Sequence, residues 1–170
     1  MKIRIVQHPM GHGFPRADAD QIMAILGHPR GWATRGHAFE RVWSGGDVIV
    51  YLRPPAYMAR RFGEPELRSL SVTESVVGQP YRIHIHASNW NRVPSGFEGD
   101  LATYRAYLIQ HEIGHCLGHG HEPTPPVVGH DLLPPCPVMY QQTRGTRGRC
   151  SPNYHPLASE ARGRQTPSHA

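Results

Sequence analysis

The eleven residues from 111 to 121, HEIGHCLGHGH, bring together His111, His115 and His121 with Glu112 beside the first, types and spacings that suit a metal site. Histidines four apart lie on one face of an α-helix, about 6 Å apart along its axis. One ion can take an imidazole nitrogen from each. Zinc accepts such nitrogens at roughly 2.0–2.1 Å, and a catalytic site has three protein ligands with the fourth position left to water. Glu112 projects to another side of the helix, where its carboxylate meets that water instead of the ion and can act as general base.

Two histidines compete to be the third ligand. On a continued helix His119 would sit about 12 Å along the axis from His111, too far to share an ion held midway between the first pair. Gly118 favours His121, because glycine accepts the left-handed conformation that ends a helix and lets the chain turn back. His119 is then a neighbour of the site.

HExxHxxGxxH with a methionine downstream in a tight turn is the pattern of the metzincin zinc peptidases, and CPVMYQQ supplies that methionine as Met139. The stretches GHGFPRADADQIMAILGHPRGW, YRIHIHASNW, LATYRAYLIQHEIGHCLGHGH, PVMYQQT and CSPNYHP also resemble a metzincin-like domain of unknown function common in actinobacterial secreted proteins. The likeness runs from about residue 11 to residue 156. It implies a zinc-dependent peptidase fold with Met139 as a hydrophobic floor under the histidines and not a ligand, since zinc prefers nitrogen, oxygen or thiolate. Tyr140 is the candidate oxyanion donor, although in some metzincins the tyrosine stands two residues after the methionine and here it is the next one. The expected activity is metalloendopeptidase action on a protein or peptide substrate. A water activated by zinc and Glu112 would attack, and Glu112 would pass its proton to the leaving amine.

Such a site needs a scaffold, and the length of 170 residues fits one domain, expected over residues 1–157. No apolar run approaches the ~18 residues of a membrane span, so no membrane partner is expected. Members of the similar family are usually secreted, whereas MKIRIVQHPM lacks an apolar signal core, which leaves localisation open. The net charge of +5 and pI near 9.4 come from scattered basic residues, the densest being Arg144, Arg147 and Arg149 with Arg162 and Arg164 beyond. Without a nucleic-acid-binding motif these read as a solvated basic surface, and a monomer with no nucleic-acid partner is expected. A basic nucleic-acid-binding protein is the rival reading that rests on charge alone.

Along the chain, KIRIV at 2–6 predicts a strand and RADADQIMAIL after Pro15 a helix closed by Gly27 and Pro29. Phe39–Trp43 and Asp47–Leu52 predict two strands, joined through Ser44-Gly45-Gly46 as a hairpin. Tyr57–Phe62 predicts a short helix, and Leu70–Val76 and Tyr81–Ile85 predict strands about Gly78. His84 and His86 share one strand face, as a second metal pair or as hydrogen-bonded core and cleft residues. Leu101–Cys116 predicts the site helix with Asp100 as N-cap. Trp90, Tyr104 and Tyr107 are read as core or cleft-wall aromatics. Cys136 and Cys150 flank Met139 and either close a disulfide or stay reduced, while Cys116 reads as a small hydrophobe. The chain after His121 is read as loop, and from Ala158 as a disordered tail.

The order strand, crossover helix, strands, long helix predicts an α/β (α+β) fold with a mixed twisted sheet and an irregular C-terminal part. A non-catalytic zinc module is the other rival, with a fourth ligand such as Asp131 or Cys136 closing the site. Glu112 argues against it, since a structural site has no use for a base there.

Overall fold

The structure, a computed structural model, describes residues 1–7, 13–63, 70–126 and 133–160. Five strands form one twisted sheet: β1 (Lys2–Ile5), β2 (Glu40–Val42), β3 (Val48–Arg53), β4 (Val72–Glu74) and β5 (Tyr81–His86), in the order β2-β1-β3-β5-β4. The first four in that order run parallel and the edge strand β4 is antiparallel to β5. The mixed α/β class expected from the sequence is therefore observed.

Alternation explains how the three central strands bury one face. Ile3 and Ile5, Val48 and Val50, and Ile83 and Ile85 all point into one core, as period-two side chains on paired strands must. Removing each of these from water contributes roughly 1.5–3 kcal/mol. Two helices cover that face, α1 (Arg16–Leu26) with Ala19, Ile22 and Leu26, and α4 (Leu101–Cys116) with Tyr104, Leu108, Ile109 and Ile113. On the other face α2 (Pro55–Arg61) brings Tyr57 and the following Phe62 against His84 of β5. The short helix α3 (Ala87–Asn91), which the sequence reading did not anticipate, buries Trp90, whose indole N–H donates to Asp18 of α1.

The hairpin expected between 39–43 and 47–52 is not formed. β2 and β3 flank β1, each parallel to it, and residues 43–47 carry the chain from one side of β1 to the other. The glycines still make the turn, with φ of +63° at Gly45 and +106° at Gly46. Its ends are captured by β1: Asp47 N–H donates to the Lys2 carbonyl, and Lys2 N–H donates to the Asp47 carboxylate. Two open sides on an apolar β1 outcompete a two-strand pairing.

α4 begins with the Asp100 carboxylate accepting from Thr103 N–H, the expected cap. It ends at Gly118, φ +88°, where Gly118 N–H donates to the His115 carbonyl and His119 N–H to that of Gly114. This paired pattern is the Schellman motif, with glycine at the left-handed position.

After α4 the described residues have little regular structure, but they are tied down. Cys136 and Cys150 are disulfide-bonded, so Cys136 is not available as a fourth metal ligand. Of the expected disordered tail, Glu160 lies against the fold and is 2% exposed, while Ala158 and Ser159 are exposed. Asp131, Arg162, Arg164 and the rest of the expected tail lie outside the described residues. Among the described residues no helix is long and apolar enough to cross a membrane.

Candidate metal centre

His111 and His115 come from successive turns of α4, and the reversal at Gly118 returns His121 to them. One nitrogen from each of the three rings lies within 4.8 Å of the others, and Nε2 of His115 and of His121 are 3.2 Å apart. Bonds of roughly 2.0–2.1 Å at tetrahedral angles place ligand nitrogens about 3.4 Å apart, which fits this spacing. Among the described residues this is the group of side chains arranged to hold a metal ion.

The hydrogen bonds behind the rings decide which nitrogens face inward. Nδ1 of His111 lies 2.8 Å from the Val138 carbonyl, and Nδ1 of His115 lies 2.8 Å from the His119 carbonyl. A carbonyl only accepts, so each Nδ1 carries the proton and each Nε2 keeps its lone pair for an ion. Burial depresses the His111 imidazole to about 3 and the His121 imidazole to about 4, with the His115 charge as the next cause in both. Neutral imidazole is the ligating form. His119 takes the neighbouring role expected of it: its ring stacks on Trp32 at 4.6 Å while its carbonyl orients His115.

Glu112 is buried, 4% exposed, yet its side chain lines a cavity of about 300 Å³ together with the three histidines. Its Oε2 accepts from the Thr73 hydroxyl at 2.5 Å, which fixes the carboxylate against the edge strand β4. Burial pushes its carboxyl upward, opposed by the His115 charge and by that hydroxyl. The cavity runs between β4, with Val72, Thr73 and Ser75, and the segment that carries Gln141, Thr143 and Arg144. Arg144, read from the sequence as basic surface, thus borders the site, and its charge helps keep His121 neutral.

Met139 lies under the helix. A Cβ built on Gly114 would fall 2.3 Å from Met139 Sδ and 3.1 Å from Trp32, so the fourth residue of the HEIGH string is glycine because the methionine needs its space. Tyr140 is not brought to the cavity: its ring packs on the Cys136–Cys150 bridge and its hydroxyl donates to the Gly145 carbonyl. Being adjacent to Met139 in a tight turn, it faces away from the histidines, and the oxyanion role expected of it is not carried by this geometry. Tyr107 reaches where Tyr140 does not. It lines the cavity, and its hydroxyl donates to the Tyr140 carbonyl and accepts from Gln142 N–H.

Nor do His84 and His86 form a second metal group with a third partner among the described residues. His84 is held between the Glu74 carboxylate at 2.9 Å and the Arg53 guanidinium at 3.3 Å.

A family model described as "Protein of unknown function (DUF3152)" matches residues 5–155, which is most of the chain and includes all four site residues. The chain belongs to the DUF3152 family. No curated protein matches it. The DUF3152 match ends at His155, short of Glu160, the residue that sequence reasoning missed most completely. Glu160 accepts backbone N–H groups from Val138, Met139 and Leu157 and so shapes the turn beneath the site. Its only sequence signal was a carboxylate in a segment with no apolar period.

Proposed function

We propose that the protein is a metzincin-like zinc metallopeptidase. The observation that carries the reading is the pairing of three convergent imidazoles, two of them oriented by backbone carbonyls, with a buried carboxylate on the same cavity wall. His111, His115 and His121 would hold the ion through nitrogen, a donor set that zinc favours. A zinc ion there supplies Lewis acidity that polarises a substrate carbonyl and acidifies water.

The protein's own groups do the rest. Glu112 accepts the proton of the attacking water and delivers it to the departing amine nitrogen, so one carboxylate serves both halves of the hydrolysis. Thr73 holds Oε2 of that carboxylate, which leaves Oε1 to carry the proton. β4 and the 141–144 segment give an extended peptide two walls to lie between.

A non-catalytic zinc module is the second reading, and the disulfide removes Cys136 from it as a closing ligand. Zinc-loaded protein incubated with a diverse peptide library and read by mass spectrometry tests the choice. New termini that vanish on chelation are expected; an intact library with fully loaded protein contradicts peptidase action.

A further inference from the structure

We propose that Glu160 is a positioning residue of the histidine site, acting on His111 through the one peptide unit that joins Val138 to Met139. The N–H of that unit, on Met139, donates to Glu160 Oε1 at 2.7 Å. Its carbonyl, on Val138, accepts from His111 Nδ1 at 2.8 Å. The chain of groups is therefore carboxylate, amide, imidazole. Metal-binding histidines commonly donate their second ring nitrogen to a carboxylate or a carbonyl, which fixes the tautomer and raises ligand basicity. Here a carbonyl takes that place, and a carboxylate stands directly behind it.

Two physical effects connect Glu160 to the ring. An amide whose N–H is bonded to a carboxylate has a more negative carbonyl oxygen, a cooperative strengthening of about 10–30% per bond. Orientation is the second. Glu160 Oε2 also accepts from Val138 N–H at 3.0 Å and from Leu157 N–H at 2.8 Å, so the turn is clamped at three amides and the carbonyl cannot swing from the ring. An ionised carboxylate alone among side chains offers acceptors on both oxygens. A glutamine there would set an NH₂ against one of the three N–H donors. The partnership spans distant parts of the chain and joins the end of the described structure to the first site histidine.

The role rests on the metal-binding half of the function proposed above and is independent of hydrolysis. Full-length wild type, Glu160→Gln and Asn153→Ala are compared, the last as a control in the same segment that does not touch the 138–139 peptide unit. Zinc affinity is read by competition with a chromophoric chelator, and folding by circular dichroism and thermal midpoint of the metal-free proteins. Glu160→Gln is expected to bind zinc about tenfold more weakly, while Asn153→Ala, at an equal or larger loss of midpoint, stays within about twofold of wild type. Glu160→Gln within twofold of wild type overturns the proposal, as does an equal affinity loss in Asn153→Ala, which would reveal general loosening. Should Glu160→Gln not fold, imidazole ¹⁵N shifts of the metal-free wild type decide: a proton on His111 Nδ1 with a strongly downfield Met139 amide supports the relay, and a proton on His111 Nε2 overturns it. Wild type that binds no zinc contradicts the metal reading itself and this role with it.

Discussion

The described part of residues 1–116 buries alternating apolar side chains between a sheet and two helices, whereas residues 133–160, after the histidines in sequence, bury polar side chains alongside Val138, Met139 and Tyr140. In that second region Gln142 donates to the carbonyls of Pro137 and Asn153, Asn153 donates to those of Cys136 and His155, and Glu160 accepts from three amides. A coil with few ladder partners must satisfy its buried backbone groups some other way, and here three side chains do so while a disulfide ties the segment covalently. The first region supplies two histidines and the base on a rigid helix. The second supplies the carbonyl that orients one of those histidines and the floor that supports them. Burial by area tolerates small adjustments, but a hydrogen-bonded coil either keeps its partners or loses them, so damage to the two regions should read out differently.

The largest effect is expected from cutting the first region's core. Ile85→Ala removes buried volume between the sheet and its helices and should cost about 2–5 kcal/mol, seen as a lowered urea midpoint. Once folded, that variant should bind zinc as wild type does; a large loss of affinity would erase the distinction between the regions. Next comes the bridge closing 14 residues of sequence separation, worth roughly 3 kcal/mol by loop closure. Cys136→Ser with Cys150→Ser should lower the midpoint by that order and raise the protease sensitivity of 133–160 before that of the sheet, as limited proteolysis would show. Gly114→Ala, where helix and floor meet, pushes on Met139 and should cost about 1–3 kcal/mol. A neutral result would mean that the methionine does not pack as described.

Acidity sharpens the comparison further. His84, His111, His119, His121 and His155 are all held below 6.5, with burial the largest cause in each. Unfolded, they take up protons near 6.5; folded, His121 and His155 wait until about 4 and His111 until about 3. The unfolded state thus binds more protons in that window, and the stability present above pH 6.5 is lost as pH falls through it. Glu112 and Glu160, raised by burial, act in the opposite sense. Thermal midpoints of metal-free protein should fall between about pH 6.5 and 4 where the imidazoles dominate; a flat profile would show that the two carboxyls offset the rings. The smallest effect belongs to Arg144→Ala. Loss of an exposed positive charge near His121 should strengthen zinc binding, by less than about fivefold.

The same contrast explains what could be read from the sequence. Helices α1 and α4, the core strands and the convergence of three histidines follow from periodic apolar residues and from a glycine at a helix end, both local signals. The Ser44-Gly45-Gly46 turn was legible too, but its pairing was not, because Lys2 and Asp47 settle it from 45 residues apart. Glu160, Gln142 and Asn153 have no period at all. Each answers a backbone group whose need arises only after the chain has folded, and so a packed segment read as loop and tail. Tyr140 was misplaced for a related reason: proximity to Met139 in sequence says nothing about which side of a tight turn its ring takes.

The central claim, that Glu112 is the base of a hydrolytic site and not a bystander to a structural one, is tested most directly by separating metal binding from turnover. Wild type, Glu112→Ala and His115→Ala are each loaded with zinc, their metal content is measured, and they are incubated with the same peptides. Glu112→Ala is expected to keep one zinc per chain and to lose cleavage by at least about a hundredfold, while His115→Ala loses both. Glu112→Ala that cleaves at the wild-type rate with its zinc in place would contradict that claim.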